Sequence, residues 1–195
     1  MIHFDIDKTI QAAAYLIKRR PGKIENYMRL LKLLYLADRR SLKERGAPIC
    51  GDTAYGMKEG PVPGRTLDLI KGTDPSSVKW EQFIERTDYD VLLKSDPGNL
   101  HLSQAELDIL DHVATYFKSY DPFELVVWCH ENLPEYDENW KKRKEGAKRV
   151  RIPFEDVLSA IHRSEDGPRI VEEINENLAF NRLFSHHMPA SGTQG

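Results

Sequence analysis

The sequence predicts a mainly α, compact multi-helix domain built around one long helix at about residues 24–44, with a small β-hairpin within residues 80–95. Three observations predict it. Apolar residues recur at spacings of three and four in several separate windows, as helices with one buried stripe require. Proline, glycine and capping residues punctuate those windows where helices should start and stop. A composition of 40% hydrophobic and 30% charged residues suits helices with broad solvated faces better than a sheet buried on both sides.

The first helix is expected over Ile6 to Arg19, with Asp5 or Asp7 near its cap and Ile6, Ile10, Ala13, Ala14 and Ile17 on one face; Arg20-Pro21-Gly22 ends it. The second, Ile24 to Glu44, has the strongest pattern. At about 100° per residue, Glu25, Arg29, Lys32, Arg39, Arg40 and Lys43 share one polar stripe broken only by Leu36. Tyr27, Leu30, Leu31, Leu34, Tyr35 and Leu42 fill the wider opposite arc, and Gly46 supplies a left-handed stop. The Gly- and Pro-rich stretch Ala47 to Gly64 reads as an ordered loop with a short extended piece at Thr53 to Met57, followed by a short helix from Arg65 to Ile70. Alternation through Tyr89, Val91 and Leu93 predicts a strand, with Trp80 to Glu85 as its hairpin partner.

Ser103-Gln-Ala-Glu106 is a capping box ahead of Leu107, Leu110, Val113, Ala114 and Phe117. Asp121-Pro122-Phe123-Glu124 opens a further helix with proline at its first position, ending before Pro134. Helices through Val157 and Ile161 and from Pro168 to Phe184 complete the domain, assigned to residues 1–184; residues 185–195 are expected to be a disordered tail.

A net charge of -3 does not point to a dedicated nucleic-acid binder. The two cysteines, Cys50 and Cys129, build neither a disulfide framework nor a zinc module, which suits a reducing, cytoplasmic setting. No export signal is legible, and no apolar run approaches the roughly 18 residues a membrane span needs.

Four features could carry chemistry. Asp38 falls among Leu31, Leu34 and Leu42, where an unpaired carboxylate would be costly. It could be a general acid of raised pKa; the favoured role is a structural acceptor that ties down the next loop through Thr53, Tyr55 or backbone amides. His130 lies between Cys129 and Glu131, without the second histidine of a zinc helix. Adjacent helical residues diverge by about 100°, so a helix-end histidine bonded to a carbonyl is favoured over a Cys-His pair. The basic stretch Lys141 to Arg151 could contact phosphates. Glu135, Asp137, Glu138 and Glu145 dilute it and Trp140 is its lone aromatic, so a solvated loop or a site for an acidic protein surface is favoured. In Gly60-Pro61-Val62-Pro63-Gly64 the prolines stiffen the chain. The segment is either a preorganised contact or a rigid connector.

Together these pieces resemble the Panacea domain, the SocA-like and GepA-like antitoxin family. The residues that carry the resemblance are Lys32-Leu-Leu-Tyr-Leu-Ala-Asp38, Gly46-Ala-Pro-Ile, Asp52-Thr-Ala-Tyr55, Gly60-Pro61-Val62, Leu102-Ser103, His130-Glu131, Trp140, Ile152 and Glu155-Asp156-Val157-Leu158, spread over roughly residues 5 to 165. The resemblance implies an antitoxin that neutralises a co-encoded toxin by direct binding. The domain accepts many unrelated toxins, some relatives are phage-associated, and the added DNA-binding segment of others is not expected here. No catalytic residue, metal or cofactor is expected, and no membrane association. The partner is a cognate toxin, with a homodimer left open. The expected contact surface is Tyr55, Lys58, Gly60, Pro61, Val62 and Arg65, extended by Arg29 and Lys32 on the outward stripe, whereas Asp38, Thr53, His130 and Trp140 are assigned structural polar roles. The alternative is a nucleic-acid-associated regulator that uses residues 141–151; a hydrolase built on Asp38 or His130 is a third reading.

Overall fold

Helix α1 (Ile6–Ile17) begins where Asp5 accepts a hydrogen bond from the Lys8 amide at 3.0 Å. Its alanine-rich face, Ala12 to Ala14, is fully buried. The computed structural model describes residues 3–173 and 176.

The long helix starts later than its hydrophobic pattern suggests. Asn26 accepts from the amides of Met28 and Arg29, and this cap sets α2 at Tyr27–Arg45. The three residues before it form strand β1 (Ile24–Asn26), because Ile24 and Glu25 pair with Leu92 and Val91. Gly46, at φ +74°, closes α2 by donating to the Leu42 carbonyl.

The stretch expected to be a loop is a hairpin of β2 (Ala54–Met57) and β3 (Gly60–Pro63). Both prolines of β3 are tolerated because β3 is an edge strand, whose outer side needs no ladder donors. On the far side of β2 lies β6 (Arg149–Arg151), a strand that the basic composition of this segment concealed. All four residues of β3 are buried, and the strand packs on α2.

Short helices α3 (Gly64–Ile70) and α4 (Ser77–Glu81) lead to a second hairpin, β4 (Ile84–Thr87) and β5 (Asp90–Leu93), giving a sheet of order β1-β5-β4. The hairpin expected near residues 80–95 is therefore present with its first strand displaced. Trp80 belongs to α4, where it is buried.

Both predicted caps form. Ser103 and Glu106 open α5 (Gln104–Tyr116), and Asp121 and Glu124 open α6 (Pro122–Asn132). Buried Glu106 also receives Lys8 at 2.7 Å and Arg45 at 3.2 Å, so one carboxylate joins α1, α2 and α5. Pro134, expected only to terminate α6, also opens helix α7 (Pro134–Lys141), since proline is favoured in a first turn. Helix α8 (Phe154–Ala160) follows β6, and residues 167–173 are helical. The remainder of the helix expected to reach Phe184, and the tail 185–195, lie outside the described residues apart from 176. The described residues are thus mainly helical but not all-α, and they include two three-stranded sheets. No helix among the described residues is long and apolar enough to cross a membrane.

The β2–β3 hairpin turns into α3 at Gly64, where a Cβ would stand 2.5 Å from the Tyr55 ring. Gly64→Ala is therefore expected to cost about 1–3 kcal/mol, read as a lower urea midpoint with an unchanged slope.

Candidate functional site

The first half of the polar stripe does not face water, whereas Arg40 is partly exposed and Lys43 exposed further along α2. Glu25, Arg29 and Lys32 are all buried, which corrects the expectation that Arg29 and Lys32 form an outward contact surface. Helical periodicity separates polar from apolar faces, but a charged stripe enclosed by its own partners looks the same as a solvated one. Arg29 pairs with Glu25 and donates to the backbone carbonyls of Tyr120 at 3.0 Å and Phe117 at 2.7 Å, fastening α2 to the α5–α6 turn.

Lys32 has no such partner. Its side chain is fully buried and its Nζ finds no hydrogen-bond acceptor among the described residues. Loss of hydration lowers its pKa from 10.5 to about 8, against weaker support from Cys129 and Glu59. Gly60, at φ +105°, runs beside it; a Cβ there would lie 3.1 Å from Nζ. A side chain at residue 60 would thus be strained and would crowd the ammonium.

Lys32 lines a cleft of about 870 Å³. Tyr27, Met28 and Leu31 of α2 form one wall, and the β2–β3 hairpin supplies Met57 to Gly60 and Val62. Leu67 and Lys71 of α3, His130 at the end of α6, Trp140 of α7, and Arg143 with the following loop complete it. The lining holds five cations, Lys32, Lys58, Lys71, Arg143 and Lys148, against the single carboxylate of Glu59.

His130 serves this wall differently from the carbonyl-bonded histidine expected. It is exposed, its Nε2 lies 3.3 Å from the Tyr136 hydroxyl, and the two rings meet edge to face. The buried Tyr136 donates to the Met57 carbonyl at 2.8 Å and stacks beside Trp140, so α7 holds the hairpin in place. Cys129 points inward, and burial raises its thiol to about 11.

Asp38 performs the structural task expected of it. Its two oxygens accept from the amides of Ile49 at 2.9 Å, Cys50 at 2.8 Å and Gly51 at 3.1 Å. Burial pushes its carboxyl up to about 6, and those amides oppose the shift. Asp38 lines a separate pocket of about 200 Å³ with Arg39, Asp52 and Arg151, so it and His130 do not share a site.

Of the other anticipated contact residues, Gly60, Pro61 and Val62 are enclosed by the packing of β3 on α2, contrary to expectation. Tyr55 is half-buried beneath Arg149. Lys58 is exposed, and Arg65 is exposed but paired with Asp74 at 2.7 Å. Exposed Thr53 contributes its carbonyl, which receives the Gly64 amide. In the basic stretch, Lys141 pairs with Asp137 and Lys142 with Glu138, each one turn away.

Two features escaped the sequence reasoning. Buried Glu135 accepts from the Tyr35 hydroxyl at 2.8 Å and from Arg39 at 2.7 Å, joining α7 to α2. On α6, Phe123 and Val127 remain 70% and 55% exposed. Three residues further on, the same helical row reaches His130, so this apolar face reaches the rim of the cleft.

The sequence model of the family described as Antitoxin SocA-like, Panacea domain matches residues 30–135. The chain belongs to this family. The Panacea span contains Lys32, Asp38, both strands of the β2–β3 hairpin and His130, whereas Trp140, Arg143 and Lys148 follow it in the chain. No curated protein and no solved structure matches the chain.

A buried ammonium without an acceptor costs stability, so Lys32→Met, which fills similar space, should stabilise the domain at pH 7 by about 2–3 kcal/mol. The folded pKa lies below the ordinary one, so the unfolded chain binds the proton more firmly between about pH 8 and 10.5. Stability of the parent should therefore rise through that window, and its deficit against Lys32→Met should shrink in denaturant titrations at stepped pH. Asp38→Ala orphans the amides of Ile49, Cys50 and Gly51 and should cost on the order of 3 kcal/mol in the same assay.

Proposed function

We propose that this Panacea-domain protein is an antitoxin that neutralises a co-encoded toxin in the cytoplasm by direct, stoichiometric binding, without catalysis. The observation that carries this reading is the family match over residues 30–135. The exposed face of α6 is the contact surface this reading favours. Phe123 and Val127 are large apolar side chains one helical turn apart, with His130 continuing the row. Covering such side chains yields about 25 cal/mol per Å², and an aromatic residue in a desolvated patch commonly dominates binding energy. Lys58, exposed at the hairpin turn, is available to flank the contact. Arg29, Lys32, Gly60, Pro61 and Val62 act instead in the scaffold behind it.

Co-expression with the product of the adjacent gene tests the reading. The chain should relieve growth arrest caused by that product and co-purify with it at a fixed ratio. Phe123→Asp combined with Val127→Asp should retain the parent circular-dichroism spectrum and weaken the complex by roughly 30-fold or more, the scale of an interface hot spot. A neighbour that is harmless alone, or that never associates with the chain, contradicts the assignment.

A further inference from the structure

We propose that the cleft lined by α2 and the β2–β3 hairpin binds a small polyanion of the phosphate-ester class, with the Lys32 ammonium as its innermost contact. The inference goes beyond the antitoxin reading and does not depend on it.

Lys32 carries the argument because its charge is left uncompensated. Other enclosed cations of the domain have acceptors: Arg29 has Glu25 and two carbonyls, and Arg39 has Glu135. Lys32 is fully buried, and no described acceptor lies within reach of its Nζ. Desolvating an ammonium without a partner is expensive, and an incoming oxyanion would remove that cost. Gly60 presents no side chain beside Nζ, and the lysine's flexible four-carbon stem would let an anion bound in the cleft draw the ammonium towards it.

The surroundings specify the class of ligand. From the hairpin come Lys58 and Glu59, from α3 Lys71, from α6 Cys129 and His130, and from beyond α7 Arg143 and Lys148. Lys58 and Glu59 lie 3.8 Å apart and offset one another. Lys71, Arg143 and Lys148 have no carboxylate within salt-bridge distance among the described residues. A chain with net charge -3 therefore gathers a surplus of cations in one concavity. One carboxylate would leave most of that charge unmet, whereas a di- or triphosphate presents several oxyanions. A volume of about 870 Å³ suits a small molecule. A single buried ammonium among the lining residues also suits a terminal phosphoryl group better than a continuous nucleic-acid backbone.

The test uses the whole chain with pyrophosphate, ATP, citrate and a single-stranded oligonucleotide at constant ionic strength. Calorimetry should give saturable, one-site binding of pyrophosphate and ATP, weakened at least tenfold by Lys32→Met, a variant expected to fold with increased stability. In the parent chain, the 13Cε resonance of Lys32 should titrate near pH 8 without ligand. Its midpoint should rise by at least one unit when pyrophosphate saturates the cleft. No saturable binding, equal affinity in Lys32→Met, or an unmoved Lys32 resonance at saturation would overturn the proposal. Citrate binding as tightly as pyrophosphate would overturn the phosphate assignment, as would an oligonucleotide binding more tightly than ATP.

Discussion

The enclosure of the first half of the charged side of α2 is the constraint from which the rest of the structure follows. An amphipathic helix normally leaves its cations in water. Here β3, β1 and the α5–α6 turn close over that side, and each enclosed charge must be answered. Glu25 and two carbonyls answer Arg29, and Glu135, delivered by α7, answers Arg39. Lys32 is the case without an answer, and it lies where the hairpin, α3, α6 and α7 leave a cleft. Scaffold and candidate site are thus the same piece of chain seen from two sides.

Features governed by adjacent residues were legible in the sequence. The Ser103–Glu106 capping box, the helix start at Asp121-Pro122, the left-handed stop at Gly46 and the amphipathic repeat of α1 all form as read. Features that depend on distant partners were not. Nothing local marks Ile24 to Asn26 as a strand, since its identity comes from Asp90 to Leu92, more than sixty residues away. Arg149 to Arg151 likewise becomes a strand only because β2 offers it an edge. Pro61 and Pro63 argued for a loop because proline interrupts sheets, and only the strand order reveals that their edge position removes the objection.

The site divides in the same way. Asp38 was legible because an acid among leucines must find donors, and the next loop is the nearest source of them. Arg29 and Lys32 were misplaced because a helical wheel records angle and not enclosure. Phe123 and Val127 were passed over for the converse reason: apolar residues at helical spacing usually mark a core. On α6, Leu125, Val126 and Cys129 already fill that role, leaving Phe123 and Val127 to the outside. Family resemblance identified the domain correctly, while Gly60 to Val62, among the residues that carry the resemblance, turn out to be buried in packing.

The central claim, that the Lys32 side chain is enclosed when no anion is bound, is most directly tested by acylating the native, anion-free chain with a bulky amine reagent and mapping the modified lysines by peptide mass spectrometry. Enclosure predicts rapid modification of Lys58, Lys71 and Lys148, with Lys32 protected until the domain is denatured. Acylation of Lys32 at the rate of those exposed lysines in the folded chain would contradict it.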